Sequence, residues 1–222
     1  MQRKNIVIIC SLSWSHKAAG NQSDMITANK DRISIEHDTT KCGDPKVWFP
    51  MRVTYSRELK VKAELDRLEI ENFVPMTYKL VNTDTGNPRC ELMPAINNLI
   101  FVNSTQKIIS HLKLKNQVLE PLRYMMDYIA EEKQTIMTVP DRQMQNFIRV
   151  ASRTDDSVMF LNDESVIGKE GKRVEIIGGA FEGVTGVIRR VKRCKRVVVE
   201  IEGVTSVAIS FVPAGLLKEI DG

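Results

Sequence analysis

The pattern of apolar and polar positions divides the chain into three stretches. Residues 1–44 show no sustained period of 3.6 or 2. After Cys10 the segment reads Ser-Leu-Ser-Trp-Ser-His and then runs polar through Asn21, Asp24, Asn29 and Asp38. It reads as a flexible extension, or as residues upstream of the true start, with Met25 as an alternative start. Order begins at Val47. The run Val47–Tyr55 (VWFPMRVTY) is aromatic and β-branched and predicts a strand. Pro50 sits inside it and donates no ladder hydrogen bond, so an edge or a bulge is expected there. Ser56 is the expected N-cap of a helix in which Val61, Leu65 and Leu68 recur at i, i+4 and i+7. Residues 72–81 predict a second strand region broken at Pro75. Residues 82–89 (NTDTGNPR) are dense in turn formers and read as a hairpin tip. Residues 98–102 predict a third strand, and a helix from Thr105 to Leu114 carries Ile108, Ile109 and Leu112 on one face. A short strand is expected over 135–139. Pro140-Asp141 then opens a helix with Met144, Phe147, Ile148 and Ala151 at i, i+3, i+4 and i+7. The order β-α-β-β-α-β-α predicts an antiparallel sheet with helices packed on it, an α+β domain.

Residues 152–169 are polar, with Asp155, Asp156, Asp163 and Glu164, and read as a linker with a short ordered piece around Val158–Leu161. The composition then shifts. Five short β-rich runs follow, at 173–177, 184–191, 196–201, 206–211 and 216–220, punctuated by Gly178-Gly179, Gly183, the 192–195 turn, Gly203 and Pro213. Such spacing predicts a small, strongly bent barrel. The expected organisation is an extension (1–44), an α+β domain (45–152), a linker (153–168) and a barrel (169–222).

Composition narrows the class. Apolar residues make up 42% and charged residues 27% of 222 positions, the mix of an ordinary globular chain rather than a disordered one. The net charge of +4 permits nucleic-acid contact without demanding it. Cys10, Cys42, Cys90 and Cys194 are scattered, which excludes a CxxC zinc ribbon and argues against a disulfide framework. A reducing, cytoplasmic setting fits best. No apolar run reaches the length of a membrane span. The start, Met1–Cys10, resembles a signal peptide only faintly, because its apolar core is very short.

The residues argue against catalysis. The histidines are His16, His37 and His111, and only His111 falls on a predicted element, where it reads as a solvated helix residue. There is no HExxH and no metal-ligand spacing, so no metal or cofactor is expected. The glycine-rich stretch Gly178–Gly186 lacks the Gly-Lys-Ser/Thr ending of a phosphate loop, and its glycines are better explained by tight reversals in a small barrel. The run from Arg189 to Arg196 is different, with six basic residues in eight: Arg189, Arg190, Lys192, Arg193, Lys195 and Arg196. It is either a nucleic-acid or acidic-protein contact or a solvated hairpin. No aromatic side chain interleaves it, so base stacking is not expected. The residues alone favour a binding module over an enzyme.

Two segments resemble known families. GKRVEIIGGAFEGVTGVI, residues 171–188, resembles the KOW motif at Gly171, Val174, Ile176, Gly178, Gly179, Phe181, Gly183, Gly186 and Val187. The upstream blocks are Trp48-Phe49, 52–55 (RVTY), 57–60 (RELK), 73–76 (FVPM), 98–102 (NLIFV), 122–127 (LRYMMD) and 139–144 (VPDRQM). In order and spacing they resemble the N-terminal (NGN) domain of NusG-type transcription factors, most of all the UpxY group of specialised paralogs from Bacteroides-type bacteria.

The resemblance implies an NGN domain followed by an SH3-like KOW barrel. It implies a non-catalytic, cytoplasmic and monomeric elongation factor. The NGN domain would bind the clamp helices of the largest RNA polymerase subunit and suppress pausing and termination on long capsular-polysaccharide operons. The KOW domain would dock a ribosomal protein or the termination factor Rho. Carried onto this chain, the polymerase contacts would be Tyr55, Ile96 and Leu99, with Ser110 and His111 facing the opposite jaw and Arg67 facing non-template DNA. Ile96 and Leu99 compete with a plain core role, and Leu99→Asp is expected to abolish polymerase binding while sparing the fold. The alternative is a ribosome-associated KOW protein that binds RNA through Arg189–Arg196.

Overall fold

The structure, a computed structural model, describes residues 44–82, 87–130, 133–161, 166–167 and 171–220. The extension, the tip at 83–86 and the linker residues 162–165 and 168–170 lie outside the described residues.

The first sheet has four antiparallel strands in the order β2-β5-β1-β6: β1 (Val47–Val53), β2 (Asn72–Phe73), β5 (Leu99–Ser104) and β6 (Leu122–Tyr124). Its two central strands are apolar at nearly every position because both faces are covered. Alternation sorts them. Phe49, Met51, Val53, Ile100 and Val102 face helices α1 (Glu58–Arg67) and α2 (Gln106–Lys115), where Val61, Leu65 and Ile109 complete the cluster. Trp48, Leu99 and Phe101 face α3 (Asp141–Ala151), against Met144, Phe147 and Val150. The α3 stripe is therefore the expected one with Val150 added. Trp48 Nε1 donates to Asp141 Oδ1 at 3.1 Å, which ties the start of α3 to β1. On α2, Thr105 caps the helix, accepting from Ile108 N at 3.3 Å, and Ile108, expected on the apolar face, is exposed.

Pro50 lies in a central strand, not at an edge. It pairs with Phe101 across the β1–β5 ladder, and its carbonyl accepts from Met125 N at 3.4 Å. The N and C=O of one strand residue point to the same side, so the missing donor points away from β5. On that side Pro50 makes only half a rung with Met125, whose carbonyl accepts instead from Met137 N at 2.9 Å, and the regular β6 ladder begins at Met51.

Two hairpins stand off this sheet. One joins β3 (Met76–Asn82) and β4 (Pro88–Pro94), in register from Met76↔Pro94 to Asn82↔Pro88. The other joins β7 (Met126–Ala130) and β8 (Lys133–Ile136). Strands β4, β6 and β7 go beyond the seven elements the pattern predicts. The expected strand at 135–139 starts two residues earlier, and Val139 is a single bridge to Trp48.

The second sheet is antiparallel in the order β15-β11-β12-β13-β14-β9, with β10 also pairing β12. Its strands are β9 (Val158–Leu161), β10 (Val166–Ile167), β11 (Arg173–Ile176), β12 (Thr185–Val191), β13 (Cys194–Ile201), β14 (Thr205–Ile209) and β15 (Leu217–Glu219). All five expected runs are strands. The ordered piece expected at Val158–Leu161 is a strand hydrogen-bonded to β14, so that part of the 153–168 stretch belongs to the sheet. Gly186 shows why a glycine stands in β12: a Cβ there would lie 2.7 Å from the Val198 carbonyl oxygen and 2.8 Å from Val197 Cγ1.

The two sheets share one core cluster. It runs from Trp48, Leu99 and Phe101 through α3 to Val174, Ile176, Val184, Val199 and Val207. Polar side chains on α3 fix the contact. Gln143 Nε2 donates to the Glu200 carbonyl at 3.0 Å, and Arg149 Nη1 donates to the Glu182 carbonyl at 2.8 Å.

Candidate functional site

Local backbone constraint concentrates where β1 runs into α1. Tyr55 and Ser56 both have positive φ, 65° and 49°, and Asn98, which faces them from the start of β5, has φ 61°. Few non-glycine residues adopt this conformation, and asparagine tolerates it best. Asn98 ties the pieces together. Its carbonyl accepts from Val53 N at 3.0 Å, and its side-chain Oδ1 accepts from Ser56 N at 3.3 Å. Its own N–H donates to the Glu58 carboxylate. Glu58 is a polar side chain that is only 3% exposed. Ser56 is therefore not the helix N-cap it was expected to be. Arg57 occupies that position without a side-chain cap, because Ser56 is turned left-handed to meet Asn98.

The product of this arrangement is an aromatic ring held outward. Tyr55 is 82% exposed, and the Arg57 guanidinium sits 5.5 Å from its ring centroid. A large ring in water gains nothing from burial, and its cation–π partner orients it.

The other expected contacts are placed differently. Leu99 is 4% exposed in the cluster under α3, and Ile96 packs half-buried against the same cluster. An aspartate at 99 would bury a charge in that cluster, so the expectation that Leu99→Asp spares the fold does not hold. Ile96 and Asn97 also line a cleft of about 480 Å³ with Lys79, Phe160, Leu161 and Val204, between the β4–β5 connection and the second sheet. Ser110 is half-buried and its hydroxyl bonds the Tyr124 phenol. Burial raises the Tyr124 pKa above its ordinary value, and that bond opposes the rise. The neighbouring Lys113 lies over the Tyr124 ring at 5.1 Å, and burial lowers its pKa. His111 is exposed.

Arg67 forms a two-pronged pair with Glu64, Nη2 to Oε1 at 2.7 Å and Nε to Oε2 at 3.0 Å. Glu64 also accepts from Asn116 Nδ2 at 2.6 Å, which links α1 to the end of α2. The Arg67 bond holds the Glu64 carboxyl below its ordinary pKa, with Asn116 adding to the effect and burial opposing it.

The basic run divides. Arg189 pairs with Glu200 at 2.8 Å, and Arg196 Nη1 donates to the Ser210 carbonyl at 2.8 Å. Arg190, Lys192, Arg193 and Lys195 are exposed at the hairpin end.

Sequence reasoning missed Arg57, Glu58 and Asn98. The only available signal was an asparagine before a strand, a residue suited to the left-handed conformation. Among the described residues no cluster of histidine, cysteine, aspartate and glutamate could hold a metal ion. No described helix is long and apolar enough to cross a membrane.

Residues 46–148 match the family described as NusG, transcription termination factor nusG. That span takes in the first sheet, all of α1 and α2, and most of α3. No curated protein matches the chain.

Proposed function

We propose that this chain, with its NusG-type domain at 46–148, is a non-catalytic elongation and antitermination factor that binds RNA polymerase. The observation that carries the reading is the exposed, braced Tyr55 beside Arg57 on that domain. An outward aromatic ring and a guanidinium are the side chains most often found at the energetic centre of protein interfaces. Tyr55 would enter the contact with the clamp helices of the largest polymerase subunit, Ile96 would flank it, and Leu99 would support both from the core. Ser110 and His111 on α2 would face the opposite jaw, and Arg67 the non-template strand.

No chemistry is needed for this activity. A wedge that binds the closed clamp better than the open one shifts the equilibrium by its differential affinity. A preference of about 2 kcal/mol changes the closed-to-open ratio more than tenfold. The pre-set backbone at Tyr55 helps, because a contact that is already ordered loses less entropy on binding.

The second sheet reads as a KOW module that docks a further factor, such as a ribosomal protein or Rho. Supporting this are the positions that match the motif: Val174 and Ile176 are buried, Phe181 is nearly so, and Gly179 and Gly183 have positive φ. The resemblance to the UpxY group points to long polysaccharide-biosynthesis operons as targets.

The test is transcription by purified bacterial polymerase across a pause site. Added protein should shorten the pause lifetime, and Tyr55→Ala should lose that effect. A pause lifetime unchanged by the folded wild-type chain would defeat the reading.

A further inference from the structure

The hairpin of β12 and β13 closes with only Lys192 and Arg193 between the paired Val191 and Cys194. Both have positive φ, 48° and 69°. Two-residue hairpin turns of this kind demand left-handed residues at both central positions, which is why they favour Asn-Gly. Lysine and arginine each carry a Cβ that opposes the conformation. One step back from the turn, Arg190 and Lys195 stand directly opposite each other in the ladder. Like charges in that relation repel. The hairpin end thus carries two local costs, and both keep positive charge concentrated there.

The charges are also left available. Among the described residues none of Arg190, Lys192, Arg193 and Lys195 forms an ion pair. Arg189 and Arg196, also opposite each other, are by contrast tied to Glu200 and to the Ser210 carbonyl. Among the described residues the structure thus separates two anchored arginines from four cations without an ion pair, on a tip with no aromatic residue.

We infer that this tip is a binding site for the phosphodiester backbone of nucleic acid. Without rings to stack on bases, exposed cations bind chiefly through phosphate, so the binding is largely independent of sequence and steep in salt. The site is separate from the surface around Tyr55, and the inference stands whether or not that surface binds polymerase. RNA and duplex DNA share the chemistry.

The test uses the full chain and the anisotropy of labelled single-stranded RNA and of labelled duplex DNA, between roughly 50 and 200 mM salt. The decisive variant is Lys192→Asn with Arg193→Gly, which supplies the residues the turn prefers while removing two charges. It should raise Tm, weaken binding roughly tenfold near 0.1 M salt, and flatten the log–log salt slope on duplex by about 1.8, or about 0.9 per lost contact. Arg190→Gln with Lys195→Gln should weaken binding similarly without touching the turn. A control, Lys46→Ala with Lys60→Ala, removes two exposed lysines of the first domain and should leave affinity in place. Binding to RNA, to duplex or to both supports the inference and names the source. The inference is overturned if the wild type binds neither, if both tip variants keep full affinity and slope, or if the control loses as much as they do.

Discussion

The buried carboxylate of Glu58 accepts the backbone N–H of Asn98, across a sequence separation of forty residues. This one bond joins the first turn of α1 to the start of β5. Through Asn98 it also reaches Val53 and Ser56 on either side of the exposed Tyr55. A helix residue, a left-handed asparagine and a left-handed turn are thereby locked together, and the ring has one place to go.

Glu58→Ala should therefore act on stability and on presentation. It leaves the part-buried Asn98 donor without its partner, which costs about 1 kcal/mol or more. Glu58→Gln keeps an acceptor oxygen and should cost less. Urea denaturation of the three proteins checks this, and equal midpoints for all three would contradict it.

Asn146 plays the corresponding role for α3. Its Nδ2 donates to the Thr185 carbonyl at 2.6 Å, and its Oδ1 accepts from Thr185 N at 3.1 Å. The amide stands in for a neighbouring strand at the start of β12. Asn146→Ala strands both backbone groups of Thr185 and should destabilise the chain by about 1–3 kcal/mol. Asn146→Asp keeps the acceptor but loses the donor and should also destabilise. Hydrogen exchange at the Thr185 amide gives the local readout, and unchanged protection in Asn146→Ala would contradict the assignment.

Gly186 tolerates no side chain. Gly186→Ala pushes a Cβ into the Val198 carbonyl and the Val197 side chain, and overpacking of this kind costs about 1–3 kcal/mol. A thermal melt checks it, and an unchanged Tm would mean that β13 shifts freely.

The Glu64–Arg67–Asn116 cluster predicts a dependence on acid. The folded-state pKa of Glu64 lies below its ordinary value of 4.5, so its pairing stabilises the fold fully above that pH. The contribution drains away as pH falls through the lower folded value. The Tm difference between wild type and Glu64→Gln should therefore narrow from pH 6 toward pH 3. A constant difference would show that the pairing contributes nothing through charge.

What the sequence reveals and what it hides follow from how local each cause is. Strands β1 and β5 are legible because both faces are buried, which leaves unbroken apolar runs. The α3 stripe is legible because a single helix face carries it. Strand β4 is not: Pro88 and Pro94 bound it, and its side chains are mostly exposed. Strand β6 has only three residues and takes its identity from β1. The left-handed pair Tyr55-Ser56 is illegible because its cause, Asn98, lies elsewhere in the chain. Lys192-Arg193 is hidden for the opposite reason, since the turn uses residues that disfavour it. At the candidate site, Tyr55 emerges at the surface, whereas Leu99 shares a face of the sheet with Phe101 and is buried under α3. An apolar residue near a strand start reads the same in either place until the alternation is fixed by its neighbours.

The central proposal is that the region matching the NusG family, residues 46–148, engages polymerase through Tyr55. The most direct measurement is the equilibrium affinity of the full chain for purified bacterial RNA polymerase, for wild type and Tyr55→Ala, with Tm recorded for both. The account predicts that the wild type binds and that Tyr55→Ala weakens binding by about 2 kcal/mol or more, roughly thirtyfold, as expected for an aromatic anchor. Its Tm should be unchanged, because the ring is exposed. A folded wild-type chain that does not bind, or a Tyr55→Ala variant that binds equally well, would contradict it.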